Sequence, residues 1–336
     1  MIDNERIITN AKVLVTGGAG FIGSNLIERL LQQQNTVVCL DNFSTGKRIN
    51  IQRFVHNEKF HLIEGDIADM DTCRKAVAGV DYVLHQAALG SVPRSINDPV
   101  TSNEANVTGF LNMLVAAKDE PVKRFVYAAS SSTYGDHPGL PKLEDTIGAP
   151  LSPYAVTKYV NELYAKVFSK VYGIETIGLR YFNVFGRRQD PDGAYAAVIP
   201  RFIGKLLKHE SPIINGDGSH SRDFTHVDNV IQINQLAVMT KNPEAINTVY
   251  NVACGENTSL NELAALTKEY LSTYDQKIES ILFENGPERE GDVRHSLADI
   301  SKAKELLGYR PEVFFEEGLK RTVAWFVENR EVKNEE

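Results

Sequence analysis

Cysteine is scarce in this chain, and paired metal-ligand spacings are missing. The three cysteines, Cys39, Cys73 and Cys254, lie far apart and form no Cys-x-x-Cys pair. The eight histidines likewise form no His-x-x-x-His pair. An odd number of widely spaced cysteines argues against both a disulfide framework and a zinc site. We therefore expect a protein of a reducing compartment that binds no metal.

Long apolar runs and an excess of basic residues are also missing. No stretch approaches the roughly 18 consecutive apolar residues of a membrane span, and residues 1–10 are unlike a signal peptide. Asp and Glu (44) outnumber Lys and Arg (36), so the formal net charge is −8. A surface that tracks nucleic acid needs clustered basic residues. These absences predict a cytoplasmic protein that binds neither nucleic acid nor a membrane.

The first half of the chain does contain short apolar runs that alternate with helical patterns. The spacing predicts strands at 13–15, 37–40, 61–64, 82–86, 124–129 and 175–181, and a helix at 106–118. Apolar strands separated by amphipathic helices predict a doubly wound α/β fold, with a parallel sheet covered on both faces. After about residue 181 Pro and Gly interrupt the pattern. We predict a large domain at 1–180 and a smaller one at 181–336, with segments such as 248–253 returning to the main sheet.

A glycine-rich turn lies between the first predicted strand and the first predicted helix. Gly17, Gly20 and Gly23 allow a tight turn, a close approach of backbone to a pyrophosphate, and close helix–strand packing. Asp41 ends the next strand, where a carboxylate binds the adenosine ribose diol and repels a 2′-phosphate. The pattern predicts that residues 1–180 bind NAD rather than NADP, although Lys47 and Arg48 lie close by.

Asp66 and Ile67 follow the third predicted strand. Asp66 is either a contact of the adenine or the N-cap of the next helix, and the sequence leaves both interpretations open.

Tyr154 and Lys158 lie four residues apart at the start of a predicted helix, so their side chains share one face. A phenol has an ordinary pKa of about 10 and is a poor base at neutral pH. An ammonium roughly 5 Å away, at an effective dielectric of about 20, favours the phenolate by about 3 kcal/mol. We expect Lys158 and the nicotinamide cation to lower the pKa of Tyr154, so that it acts as a general base. Such pairs usually lie on the surface; this one follows a nucleotide-binding pattern and the serines 130–132.

Four segments together resemble the extended short-chain dehydrogenase/reductase superfamily: residues 16–23, 130–135, 154–158 and 180–186. The chain looks most like the UDP-hexose 4-epimerases, and the resemblance covers nearly its whole length. It implies a Rossmann fold of the extended type, NAD as cofactor, and a place in nucleotide-sugar metabolism and polysaccharide biosynthesis. It also implies a homodimer formed by the helices predicted at 106–118 and 154–172, although core burial explains many of their apolar residues equally well.

The resemblance also implies roles for individual residues. Tyr154 is the base at the sugar O4, Ser130 a hydroxyl partner of O4, and Lys158 a ligand of the cofactor ribose. Arg222 and Arg289 would bind phosphates, and Asp292 the uridine ribose. Contacts with NAD are implied for Gly17, Gly20, Phe21, Ile22, Gly23, Asp41, Asn42, Ser44, Thr45, Gly46, Asp66, Ile67, Gln86, Ala87, Ala88, Leu89, Asn106, Tyr154, Lys158, Tyr181 and Phe182. Contacts with the UDP-sugar are implied for Gly90, Ser91, Arg94, Ser130, Ser132, Tyr154, Asn183, Ala197, Val198, Arg222, Arg289, Asp292 and Ser296.

Two positions narrow the reaction. The related dehydratases carry an Asp-Glu pair where this chain has Ser131 and Ser132, and a serine cannot protonate a leaving hydroxyl as a carboxylic acid does. Epimerases restricted to non-acetylated sugars carry a Tyr where this chain has Ser296. The smaller side chain, together with residues 90–95, predicts UDP-GlcNAc/UDP-GalNAc interconversion, with weaker UDP-Glc/UDP-Gal activity, through a transient 4-keto sugar.

Two alternatives stay open. A UDP-uronate epimerase or decarboxylase needs a cation near a C6 carboxylate, and Arg94 is the candidate. A non-catalytic NAD-sensing protein is disfavoured because such proteins can dispense with the Tyr–Lys pair, which this chain keeps.

Overall fold

A seven-stranded parallel sheet forms the centre of the computed structural model, which describes residues 6–193, 195–288 and 294–329. In chain order the strands are β1 (Lys12–Thr16), β2 (Thr36–Asp41), β3 (Phe60–Glu64), β4 (Tyr82–His85), β5 (Arg124–Ser130), β6 (Thr176–Tyr181), β7 (Val184–Phe185), β8 (Ile213–Asn215), β9 (Ser221–Arg222), β10 (Thr225–His226), β11 (Thr248–Val252), β12 (Thr258–Ser259), β13 (Glu284–Gly286) and β14 (His295–Ser296). The central sheet has the order β11-β6-β5-β4-β1-β2-β3. The chain therefore reverses its direction of travel across the sheet between β1 and β4, and in open α/β sheets ligands bind at such a switch point.

Helices cover both faces of the sheet. They are α1 (Phe21–Gln32), α2 (Arg48–Ile51), α3 (Met70–Val77), α4 (Val92–Asn97), α5 (Pro99–Asn103), α6 (Gly109–Asp119), α7 (Pro153–Tyr172), α8 (Val198–Leu207), α9 (Val227–Met239), α10 (Leu260–Ser272), α11 (Ser301–Leu307) and α12 (Phe315–Glu328). One apolar core contains residues of α1 and α9, and a second contains residues of α3, α6 and α7. The doubly wound α/β fold predicted from the sequence is confirmed.

A third apolar core lies apart from the main sheet. It joins α8, α10 and α12 through residues such as Phe202, Leu263 and Leu319. Strand β11 nevertheless pairs with β6 at the edge of the main sheet, as expected for residues 248–253. Because α9 also packs into a core of the main sheet, residues after 181 contribute to both regions. The domain boundary at residue 180 stays a prediction.

The helix predicted at 106–118 is interrupted at its start. Residues Glu104–Thr108 form a π turn that leads into α6. Single π turns inside helices occur frequently at functional sites. Among the helices of the described ranges, none is long and apolar enough to cross a membrane.

Candidate active site

A cleft of about 380 Å³ opens where β1, β2, β4, β5 and β6 end, within the size range of ligand pockets. Its walls come from the glycine-rich turn, the ends of the strands and the start of α7. The residues predicted to bind the cofactor that line it are Gly17, Gly20, Phe21, Ile22, Gly23, Asp41, Asn42, Ser44, Thr45, Asp66, Ile67, Gln86, Ala87, Ala88, Leu89, Tyr154, Lys158 and Tyr181.

The glycine-rich turn leaves a bare backbone edge in this cleft. Gly17 has a φ of +64°, and a Cβ there would lie 2.8 Å from the backbone N and Cα of Ala87. A Cβ at Gly23 would lie 2.2 Å from the carbonyl oxygen of Gly17. Side chains are therefore excluded at both positions, and a pyrophosphate fits against the turn at the N-terminus of α1.

Asp41 and its neighbours fit an adenosine ribose without a 2′-phosphate. The two carboxylate oxygens of Asp41 accept hydrogen bonds from the N–H groups of Ala19 and Phe43, each at 2.8 Å. Burial raises the pKa of Asp41, and these two bonds oppose that rise. Gly46 does not line the cleft; a Cβ there would lie 2.8 Å from Asp41 Oδ1, so this glycine leaves room for the carboxylate.

The two cations near Asp41 are already paired. Lys47 lies 2.6 Å from Asp190, and Arg48 lies 2.7 Å from Glu64. Because both cations already pair with carboxylates, neither provides a partner for the 2′-phosphate of NADP. The site therefore fits NAD.

Asp66 is not the N-cap of the next helix. That position is held by Asp69, whose side chain accepts hydrogen bonds from the N–H groups of Asp71 and Thr72. Asp66 instead accepts from Asn42 Nδ2 at 2.7 Å and from the Ala68 N–H at 2.8 Å, at the wall of the cleft. The N-cap interpretation is therefore wrong.

The first turns of α7 bring the catalytic candidates together. Ser152 caps the helix by accepting from the Ala155 N–H at 3.1 Å. Lys158 Nζ lies 5.9 Å from the centroid of the Tyr154 ring and donates to the Ala128 carbonyl at 2.9 Å. Ser130, at the end of β5, lines the same cleft as Tyr154.

The serines after β5 hold one another in place. Ser130 Oγ accepts hydrogen bonds from the N–H and the hydroxyl of Ser132, at 3.2 and 2.9 Å. Ser130 lines both the cleft and the neighbouring cavity, and thus marks where the two meet.

Burial shifts the pKa of both members of the Tyr–Lys pair. Burial raises the pKa of Tyr154, and the neighbouring Ser130 hydroxyl opposes this rise. Burial also lowers the pKa of Lys158 to about 8, against the opposing charge of Glu162. For the protein groups alone, desolvation therefore leaves the pKa of Tyr154 raised. The expected lowering by Lys158 together with the nicotinamide cation stays a prediction. When NAD is bound, its nicotinamide cation acts on the pKa of Tyr154 in the same direction as the Lys158 ammonium.

Asn106 supports the cleft without lining it. Its side chain accepts from the Leu89 N–H at 2.7 Å and donates to the Leu89 carbonyl and to Thr157 Oγ1, both at 3.1 Å. Because both polar groups of the side chain are used in this way, Asn106 fixes the loop at Leu89, which does line the cleft.

Ser91 and Arg94 also lie off the cavity walls, whereas Gly90 lines the cleft. Ser91 caps α4, accepting from the Arg94 N–H at 3.3 Å. The Arg94 guanidinium lies 5.2 Å from the centroid of the Tyr195 ring. The structure therefore does not bring these two predicted substrate contacts to the reacting centre.

A second cavity, of about 230 Å³, adjoins the cleft at Ser130; we call it the sugar cavity. Of the predicted residues, Ser132, Phe182, Asn183, Arg222 and Ser296 line it. Phe182 thus lies on this side rather than in the cleft assigned to NAD. Sequence reasoning missed Val92, Tyr134, Gly135, Lys142, Leu151, Ser152 and Ala155, which also line it. Most of these lie in loops, where no periodic pattern marks which side chains face inward.

A third cavity, of about 240 Å³, continues from the sugar cavity. Asn183 and Arg222 line both, and the predicted Ala197 and Val198 line the third one. Phe202 and Phe224 add apolar walls that were not predicted. Arg289 and Asp292 lie outside the described residues. Within the described ranges, no cluster of His, Cys, Asp and Glu side chains is arranged to hold a metal ion.

Residues 13–253 match the NAD dependent epimerase/dehydratase family. The chain belongs to this family. NAD is its cofactor, and the short-chain dehydrogenase/reductase resemblance is confirmed. A relative from Methanocaldococcus jannaschii, named putative UDP-glucose 4-epimerase, is 40% identical over 94% of this chain and 99% of its own length.

Two solved structures of epimerases are also similar to this chain. The UDP-N-acetylglucosamine 4-epimerase of Methanobrevibacter ruminantium M1, in complex with UDP-N-acetylmuramic acid, has a TM-score of 0.89 at 40% identity. The similarity covers 96% of this chain and 100% of that one. The UDP-glucuronic acid 4-epimerase of Bacillus cereus, with UDP-glucuronic acid and NAD, has a TM-score of 0.84 at 34% identity, covering 94% and 99%. The chain is thus a family enzyme whose relatives act on several UDP-sugars.

Proposed function

We propose that this enzyme inverts C4 of UDP-N-acetylglucosamine to give UDP-N-acetylgalactosamine and catalyses the reverse reaction, with weaker activity on UDP-glucose and UDP-galactose. The observation that carries the proposal is the position of Ser296. This residue lines the sugar cavity with Ser130 and Ser132, and β14 holds it in register with Arg222 on β9. A small side chain on this wall leaves space for a 2-acetamido group, whereas a tyrosine ring would fill much of a cavity of this size.

The protein groups around Ser130 support acid–base chemistry at O4. When bound, NAD supplies the acceptor and then the donor of the C4 hydride. Tyr154 takes the O4 proton and later returns it, while Ser130 orients the same oxygen. Lys158 favours the phenolate through its charge. The sequence of steps leaves no net redox change.

The second and third cavities support a fixed nucleotide and a mobile sugar. Arg222 and Asn183 lie at their junction, where a diphosphate would join the two halves of the substrate. Asn183 is held by a hydrogen bond of 3.0 Å from its Nδ2 to the Asp223 carbonyl. With the UDP anchored, the 4-keto sugar turns over in the sugar cavity and presents its other face.

The test is turnover of UDP-GlcNAc and of UDP-Glc without added NAD, followed by separation of the C4 epimers. Ser296→Tyr should lower kcat/KM for UDP-GlcNAc tenfold or more, since overpacking a filled site costs about 1–3 kcal/mol. UDP-Glc should be affected much less. Ser296→Ala, which keeps the space, is the matched control.

Two results would count against the proposal. If Ser296→Tyr lowers both activities equally, Ser296 does not select the acetamido group. If wild-type enzyme forms no epimer from either substrate, C4 epimerisation of these neutral UDP-sugars is the wrong reaction.

We also propose that the enzyme is a homodimer joined by the outer face of α7. Val156, Leu163, Val167 and Val171 recur on this face and are each about half exposed, and exposed apolar patches of this kind mark interaction sites. Light scattering should give twice the chain mass of 37.4 kDa. Val167→Glu should give monomers, whereas Val55→Glu, on another surface, should not; a monomeric wild type refutes the proposal.

We propose the cytoplasm as the location of the enzyme. Cys39, Cys73 and Cys254 are all free and buried, as suits a reducing compartment.

A further inference from the structure

Three side chains form a closed ring of hydrogen bonds at the wall of the cofactor cleft. The Tyr181 hydroxyl donates to Gln86 Oε1 at 3.2 Å and accepts from Asn234 Nδ2 at 2.9 Å. Gln86 Nε2 completes the ring by donating to Asn234 Oδ1 at 3.4 Å. Tyr181 and Gln86 line the cleft, whereas Asn234, on α9, is 0% exposed. Asn234 therefore supports the wall of the cleft without touching a ligand in it.

The hydrogen bonds of the ring run in one consistent direction. Asn234 Nδ2 also donates to the Val230 carbonyl at 2.8 Å, which leaves Oδ1 as the acceptor for Gln86. A phenol has a single proton, and since Tyr181 gives this proton to Gln86, it must accept from Asn234. Burial raises the pKa of Tyr181 to about 12, so the phenol keeps its proton at neutral pH. A buried polar network whose members are satisfied makes their side chains rigid.

The ring joins the ends of two strands that are not neighbours in the sheet. Tyr181 ends β6 and Gln86 follows β4, and between these strands lies β5, which ends at Ser130. Gln86 is also tied to the start of the glycine-rich turn, because its N–H donates to the Thr16 carbonyl at 3.2 Å. The ring thus holds the part of the cleft wall between the turn that fits a pyrophosphate and the serine at the reacting centre.

We infer that Asn234 is a positioning residue for the cofactor, and that it slows the release of NAD by acting through Tyr181 and Gln86. Without the Asn234 amide, the bond from Tyr181 to Gln86 is all that remains of the ring, and both side chains gain freedom to turn away from the cofactor. NAD then dissociates faster, because a wall that is not ordered in advance must be ordered by the ligand. The inference depends on NAD as the cofactor and not on which UDP-sugar is the substrate.

The same helix provides a matched control in Asn229, which is 1% exposed. Its Oδ1 accepts from the N–H groups of Glu312 and Val313 at 2.9 and 3.0 Å, and its Nδ2 donates to the Val313 carbonyl at 2.7 Å. Asn229 is thus an equally buried and hydrogen-bonded asparagine whose partners lie just before α12 instead of at the cleft. Replacing either asparagine with Leu removes buried hydrogen bonds and destabilises the fold, but only Asn234 is expected to affect the cofactor.

The experiment measures how fast the NAD bound to the enzyme exchanges for added labelled NAD, and the urea unfolding of each variant is measured beside it. Asn234→Leu should speed the exchange about tenfold or more, because it leaves polar groups of the ring without partners. Asn229→Leu should unfold at lower urea and leave the exchange rate unchanged. Tyr181→Phe, which removes both bonds of the hydroxyl, should also speed the exchange. Adding Asn234→Leu to Tyr181→Phe should then have a much smaller effect than Asn234→Leu has in wild type, because the two residues act through one network.

Three outcomes would overturn the inference: an unchanged exchange rate in Asn234→Leu, an equal acceleration in Asn229→Leu, or fully additive effects of Asn234→Leu and Tyr181→Phe. The second outcome would mean that any loss of stability releases NAD, and the third that Asn234 does not act through the phenol. If Asn234→Leu does not fold, Tyr181→Phe decides alone, since wild-type exchange in that variant overturns the inference and faster exchange supports it. If the exchange rates change as expected but no UDP-sugar is epimerised, the inference stands and the proposed function fails.

Discussion

Replacing Lys158 with Met tests how the base Tyr154 is made available. The ammonium lies 5.9 Å from the centre of the Tyr154 ring, so at an effective dielectric of about 20 it favours the phenolate by about 3 kcal/mol. Removing the charge should shift the phenol–phenolate equilibrium by a factor of about a hundred, since about 1.4 kcal/mol corresponds to tenfold. At neutral pH we therefore expect a loss of about a hundredfold in kcat.

The pKa of Lys158 also predicts how kcat changes with pH. Burial lowers the pKa of Lys158 to about 8, so its charge is complete below that pH and disappears above it. The phenolate of Tyr154, in contrast, becomes more abundant as the pH rises. Wild-type kcat should therefore rise with pH and level off near pH 8, whereas kcat of the Lys158→Met enzyme should start lower and continue to rise.

The assay is epimerisation of UDP-GlcNAc across acid to alkaline pH, with each rate divided by the NAD retained per chain. This correction is needed because Lys158 is also expected to bind the cofactor ribose. Lys166→Met removes an exposed charge from the same helix and should leave the profile unchanged. A Lys158→Met enzyme that retains NAD, loses less than about tenfold and keeps the wild-type profile would refute the electrostatic reasoning.

Two further predictions concern residues that support the site. Ser95→Ala removes the hydroxyl that accepts from the Tyr154 N–H at 3.0 Å and donates to the Val92 carbonyl at 2.8 Å; it should cost about 1–3 kcal/mol in urea unfolding and lower kcat more than it raises KM. Unchanged unfolding and kcat would show that this contact does not position the base. Arg180→Met leaves Glu162 buried without its bidentate partner, which should cost about 3–5 kcal/mol of unfolding free energy. Adding Glu162→Leu should recover part of that loss, and no recovery would argue against the buried-charge explanation.

The sequence by itself determined the sheet and the cofactor turn. A strand of a parallel sheet is buried on both faces, so it appears as a continuous apolar run that can be located locally. The strand predicted at 124–129 is thus observed as Arg124–Ser130. The requirement for glycine at position 17 is also a local property, because the positive φ and the lack of space for a Cβ exclude other residues. The four-residue spacing of Tyr154 and Lys158 fixed their shared helix face in the same way.

Only the tertiary structure decided what surrounds those residues. Ser95 and Tyr154 are 59 residues apart yet hydrogen-bonded, and Lys142 reaches the sugar cavity from a loop that no periodic pattern describes. The rise in the Tyr154 pKa likewise depends on how many chain segments exclude water from one phenol. Local spacing specifies which face a side chain occupies, whereas desolvation and long-range contacts depend on which distant surfaces the fold brings against that face.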